Sequence, residues 1–158
     1  MNRTIESLLR FVNLTSSGLL AGSLGFGDAA LVPGWHNELP RENVRPIDRI
    51  RNTNYFNAIG PLALGTAVTL AVASRGVTPT RRLLDAASAV GLAGVLAATV
   101  LVTVPANQEL EQQPAADYED DRVHGLTKNW SRAHAVRTTL GIGAFVCAVA
   151  SNLSDKRK

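Results

Sequence analysis

The chain has 158 residues, a net charge of +3 and 46% hydrophobic against 18% charged residues, a length that ordinarily makes one domain. Its mean hydropathy of +0.06 permits a soluble protein, but the charges are segregated: none lies within 58–74, 86–107 or 138–154, and Asp28 is alone between Phe11 and Trp35. The single Cys147 excludes an intrachain disulfide and a Cys-based zinc site, and no motif or basic patch points to nucleic acid.

Charge-free runs of this length are what a helix rising 1.5 Å per residue needs to cross roughly 30 Å of hydrocarbon. They also lack the polar outer face that a soluble amphipathic helix repeats every 3.6 residues. The pattern predicts an all-α integral membrane four-helix bundle, a single domain over residues 1–158. The first span covers about 8–32 and is closed by Pro33-Gly34; its apolar stretch is longer than a signal-peptide core, and no small-residue cleavage site follows. The second, about 55–74, is closed by Arg75-Gly76. The third, about 83–104, ends at Pro105, and the fourth covers about 132–153. Glycines at 18 and 22, 60 and 65, 91 and 94, and 141 and 143 are expected to let helices approach closely in lipid.

With four spans, the two longer loops, 34–54 and 105–130, must share one side. Basic residues in the short link (Arg75, Arg81, Arg82), in the tail (Lys156, Arg157, Lys158) and at the start (Arg3, Arg10) favour cytoplasmic termini in the plasma (cell inner) membrane. The end carrying the termini is expected to hold only this basic turn and the two tails. The long-loop end receives the polar groups: Trp35, His36 and Glu38 after the first helix, Asn54 and Tyr55 before the second, Asn107 and Glu109 after the third. Before the fourth come Trp130, His134 and Arg137, whose i, i+4, i+7 spacing puts an aromatic, a base and a fixed cation on one stripe about 60° wide.

Two motifs carry a family resemblance. Pro105-Ala-Asn107 at the end of an apolar helix, followed by Trp130-x-x-x-His134-Ala-x-Arg137-Thr138 opening the last helix, resembles the DUF1772 family, which contains the anthrone oxygenases of polyketide pathways. The Ser17-Gly18-x-x-Ala21-Gly22 stretch of the first helix extends the likeness. The resemblance implies a four-helix membrane protein and oxygenation of an electron-rich polycyclic substrate.

Such a reaction needs no redox cofactor in principle, because loss of an acidic C–H proton gives a carbanion that can pass an electron to O2. The protein must supply a base and donors for the growing enolate oxygen. His134 is the first candidate base and His36 the second; Arg137 and Asn107 are the candidate stabilisers. Trp130, Trp35 and Tyr55 are candidate walls for a small aromatic substrate. A metal site from His36, Glu38 and His134 stays open, because its ligands come from separate loops. The alternative to an enzyme is a membrane subunit whose polar face binds lipid headgroups or a partner protein, or pairs copies of the chain.

Overall fold

A computed structural model describes residues 2–31, 46–73, 77–112 and 121–154, and they are helical almost throughout. The helices are α1 (Arg3–Phe26), α2 (Pro46–Ala73), α3 (Pro79–Ala98), α4 (Val104–Gln112) and α5 (Asp121–Leu153). A π-helical turn, Gly27–Leu31, extends α1, and a second, Thr99–Thr103, joins α3 to α4 in one rod. The four rods run up, down, up and down.

Local chemistry sets the helix starts. The Asn2 side chain accepts from the backbone N–H of Thr4 at 3.0 Å, and Thr78 caps α3 through the N–H of Arg81, with Pro79 in the first turn. Pro105 was expected to end the third helix. The helix runs through it because the preceding π-turn shifts the bonding: the N–H of Val104 reaches back five residues to Thr99, so the proline falls in the opening turn of a new α segment, where a missing N–H is tolerated.

Helix also occupies much of what the sequence presented as loops, at 46–54, 104–112 and 121–130. Each stretch continues an existing helix, so no new nucleus has to form. The remainder of both loops lies outside the described residues.

The bundle is apolar outside and mixed inside. Val72, Leu83, Val90 and Leu101 are at least 70% exposed, whereas Arg10, Asn13, Asp85, His134 and Arg137 are buried with the core residues Leu20, Leu24, Leu92 and Ala144. Three helical stretches, Asn54–Ala73, Pro79–Glu109 and Lys128–Leu153, are long and apolar enough to cross a membrane. The first predicted span, carried by α1, is not among them. Its polar residues Arg10, Asn13, Ser16 and Ser17 lower its average but point inward, while Ile5, Leu8, Phe11, Leu19 and Phe26 face out.

Close packing of α3 on α5 rests on missing side chains. A Cβ at Gly91 would lie 3.0 Å from the Ala144 Cβ, and one at Gly94 would lie 2.9 Å from Leu140 Cδ1. Gly18 and Gly141 are also in tight contact, with Phe145 and Leu24, whereas Gly22, Gly60, Gly65 and Gly143 have open space beside them.

At the end of the bundle where α1 and α3 begin, a buried ionic network takes the place of the bare basic turn that the sequence suggested. Arg10 of α1 holds Asp85 of α3 through two bonds, Nη1 to Oδ1 at 3.2 Å and Nη2 to Oδ2 at 3.1 Å. Ser151 of α5 donates to Asp85 and accepts from Arg10. Glu6 bridges Arg10 Nε at 3.1 Å and Arg81 Nη2 at 2.9 Å. One level further in, the Asn13 amide donates to the Ala63 carbonyl and to Thr66 of α2, each at 3.2 Å. All four rods are thus fixed in register at this end.

Candidate functional site

At the opposite end, the polar stripe of α5 turns into the bundle. His134 and Arg137 are each 6% exposed, and each faces one of the two π-turns. His134 packs on the first: a Cβ at Gly27 would sit 2.9 Å from Nε2 and 3.2 Å from Cε1. Arg137 reaches the second, donating from Nη1 to Thr103 Oγ1 at 3.3 Å. Thr138, on the other side of His134 from Arg137 around the helix, donates to the Leu24 carbonyl at 3.3 Å. A π-turn inserts one extra residue into a helix, and here the two insertions bring backbone and hydroxyl up to the same pair of side chains.

Trp130 completes the stripe. Its ring lies 5.1 Å from that of His134, with an angle of 6° between the planes, so the two are stacked. Its Nε1–H donates to Asn107 Oδ1 at 2.8 Å. Because an indole N–H only donates, the acceptor must be the amide oxygen, which turns the two N–H bonds of the Asn107 amino group away from Trp130. Trp130 thereby links the imidazole of α5 to the amide of α4.

The electrostatics are unusual for a stabilising element. Neither imidazole nitrogen of His134, nor Nε of Arg137, makes a hydrogen bond among the described residues, and all three atoms are buried. The Leu24 carbonyl lies beside the imidazole, and Asp28 in the first π-turn is close enough to act on it through its charge. Arg137 has no carboxylate in an ion pair among the described residues; its cation lies 5.9 Å above the Phe56 ring of α2. Burying a guanidinium costs several kcal/mol unless it is paired, and among the described residues Arg137 is met only by the Thr103 hydroxyl and the face of Phe56.

The other sequence candidates fall in different places. Tyr55 binds α1: its hydroxyl donates to the Leu19 carbonyl at 3.1 Å and accepts from Ser23 at 2.9 Å. Its neighbour Phe56, which the sequence did not single out, takes the position beside Arg137. Trp35, His36 and Glu38 lie outside the described residues. Among the described residues no three His, Cys, Asp or Glu side chains gather as metal ligands would. Phe56, Thr103 and Gly27 had no distinguishing signal, since an ordinary apolar, hydroxyl or glycine residue acquires its role only from a partner on another helix.

A bundle with an apolar exterior, three membrane-length helices and a buried His–Arg pair at one end defines an α-helical membrane protein with a candidate active site. The family model described as anthrone oxygenase matches residues 52–147, which include Phe56, Thr103, Asn107, Trp130, His134 and Arg137. The chain belongs to this family, as the DUF1772 resemblance implied, and is an oxygenase-like integral membrane protein. Comparison with curated proteins and with solved structures found no match.

Proposed function

We propose that this protein oxygenates an anthrone- or quinone-like aromatic molecule with O2 at one face of the membrane. The observation that carries the reading is the buried pair itself: a guanidinium that forms no ion pair among the described residues, one helical turn from a buried imidazole. Buried ionisable groups that cost stability tend to be functional.

In the proposed reaction His134 removes a proton from the acidic methylene carbon between the substrate's rings. The charge that develops on the ring oxygen is met by Arg137 and by the N–H bonds of Asn107. The carbanion passes one electron to O2; the resulting radicals combine to form a C–O bond, and the hydroperoxide loses water to leave the quinone. One O2 is consumed and one water released for each anthrone converted. His36 is the second candidate for the base, Trp35 and Tyr55 remain candidates for lining the substrate's path, and Phe56 joins them.

The reading also places α1 in the bilayer as a fourth span. It touches its neighbours from Arg10 at one end to Gly27 at the other, so it runs the height of the bundle, and its outward residues are apolar. The termini are assigned to the cytoplasm and the bundle to the plasma membrane.

Purified protein in detergent or nanodiscs tests the function directly. An anthrone should be converted to its anthraquinone with equimolar O2 uptake, above the rate of spontaneous oxidation. If no anthrone turns over, and replacing His134 or Arg137 only impairs assembly, the protein is instead a non-enzymatic membrane subunit that binds lipid or a partner.

A further inference from the structure

We propose that Trp130 is a positioning residue, which holds His134 and Asn107 together, and not a wall against which the substrate stacks. The inference rests on the reading of His134 as the base. The lone pair of an imidazole nitrogen lies in the plane of its ring, so a proton must reach His134 edge-on. The indole covers a face of that ring, with the two planes 6° apart and the centroids separated by 5.1 Å.

A substrate ring stacked on the other face of Trp130 would add a second stacking step, about 4.5 Å or more between centroids. It would then lie in a plane parallel to the imidazole, beyond the roughly 3 Å over which a base takes a proton. One indole cannot therefore carry the substrate on its other face and leave His134 able to act on it. What the indole does instead is fix two groups at once. Its face sets the tilt of His134, and its N–H holds Asn107 by the amide oxygen at 2.8 Å, which orients the amino group as a donor. The base and the donor come from α5 and α4, and this side chain sets their spacing.

The test pairs kinetics on an anthrone with a measurement that does not depend on activity. Trp130→Phe keeps an aromatic face over His134 but removes the N–H; Asn107→Leu removes its acceptor. A misplaced catalytic group costs on the order of 10- to 100-fold in rate, so Trp130→Phe should lose that much in kcat and Asn107→Leu, which also removes the donor, at least as much, each with KM within about threefold of wild type. The double variant should lose little more than Asn107→Leu alone, because the indole N–H acts through an amide that this variant already lacks.

In full-length protein labelled with 15N-tryptophan, the Trp130 Nε1–H resonance should move in Asn107→Leu and in His134→Gln. A rise of tenfold or more in KM with kcat retained in Trp130→Phe would make Trp130 a substrate wall and overturn the proposal, as would fully multiplicative losses in the double variant. If wild-type protein oxidises no anthrone, the reading of His134 as base fails by itself. The resonance then still decides the positioning role, which is overturned if either substitution leaves it in place.

Discussion

Gly27 bears on the proposed site although it has no side chain. A methyl group there would meet Nε2 of His134 at 2.9 Å, closer than non-bonded atoms approach, so Gly27→Ala should turn the imidazole out of position. The expected result is a loss of turnover on the order of 100-fold with the bundle still assembled, measured as the specific activity of the monodisperse variant. Arg137→Lys should also be poor, because an ammonium does not reproduce the planar fork that holds an oxyanion; retained kcat would remove Arg137 from the reaction. At this scale the sequence was legible where chemistry follows helical spacing. Trp130, His134 and Arg137 share a face because they are four and three residues apart. The partners across the bundle, Thr103, Phe56 and Gly27, were not legible, because no period relates residues on different helices.

Helix pairs in this protein are joined in two different ways, and each can be tested. Where α3 meets α5 the join is steric: a side chain at Gly91 would press on the Ala144 Cβ at 3.0 Å and the Leu140 carbonyl at 3.2 Å. Gly91→Val should lower the stability by about 1–3 kcal/mol, as overpacking does, while Gly143→Ala, with open space beside it, should be nearly neutral in the same thermal unfolding measurement. Where α1 meets α3 and α5 the join is ionic. Arg10→Ala leaves Asp85 buried without its bidentate partner, a loss on the order of 3–5 kcal/mol. The paired change Arg10→Met with Asp85→Leu should recover much of it, and no recovery would contradict this account of the network. Signals for that network were present as Glu6 with Arg10 and Arg81 with Asp85, each four residues apart at a helix start. They were hidden because Arg10 and Arg81 read as topogenic positive charges. The polar face of α1 was hidden in a similar way, since average hydropathy does not reveal which side of a helix meets lipid.

Across the whole molecule, antiparallel helices sort the chemistry to opposite ends, an ionic clamp where α1 begins and the His–Arg pair where it finishes. Span parity put Asn107 and the α5 stripe at one end, in line with the contact of Asn107 with Trp130, but it gave the other end only a basic turn and tails, where Arg10, Asp85 and Ser151 form the clamp. Orientation was less legible. Arg10 and Arg81, two of the positive charges that argue for cytoplasmic termini, are neutralised in buried pairs with Asp85 and Glu6. The assignment then rests on Arg3, Arg75, Arg82 and the tail. With Cys147 replaced, an impermeant thiol reagent applied to intact cells should label a cysteine placed at Ala116 and not one at Thr78; the opposite pattern reverses the protein in the membrane. The central claim, that the buried imidazole does chemistry, is tested most directly by the rate of anthrone oxidation by His134→Ala in the presence of a metal chelator. Wild-type activity should survive the chelator, and the variant, correctly assembled and still binding the substrate, should be slower by roughly 10²–10⁴-fold, the usual contribution of a general base. Wild-type kcat in His134→Ala would contradict it, and so would activity that the chelator abolishes and iron or copper restores, which would make His36, Glu38 and His134 the candidate metal ligands.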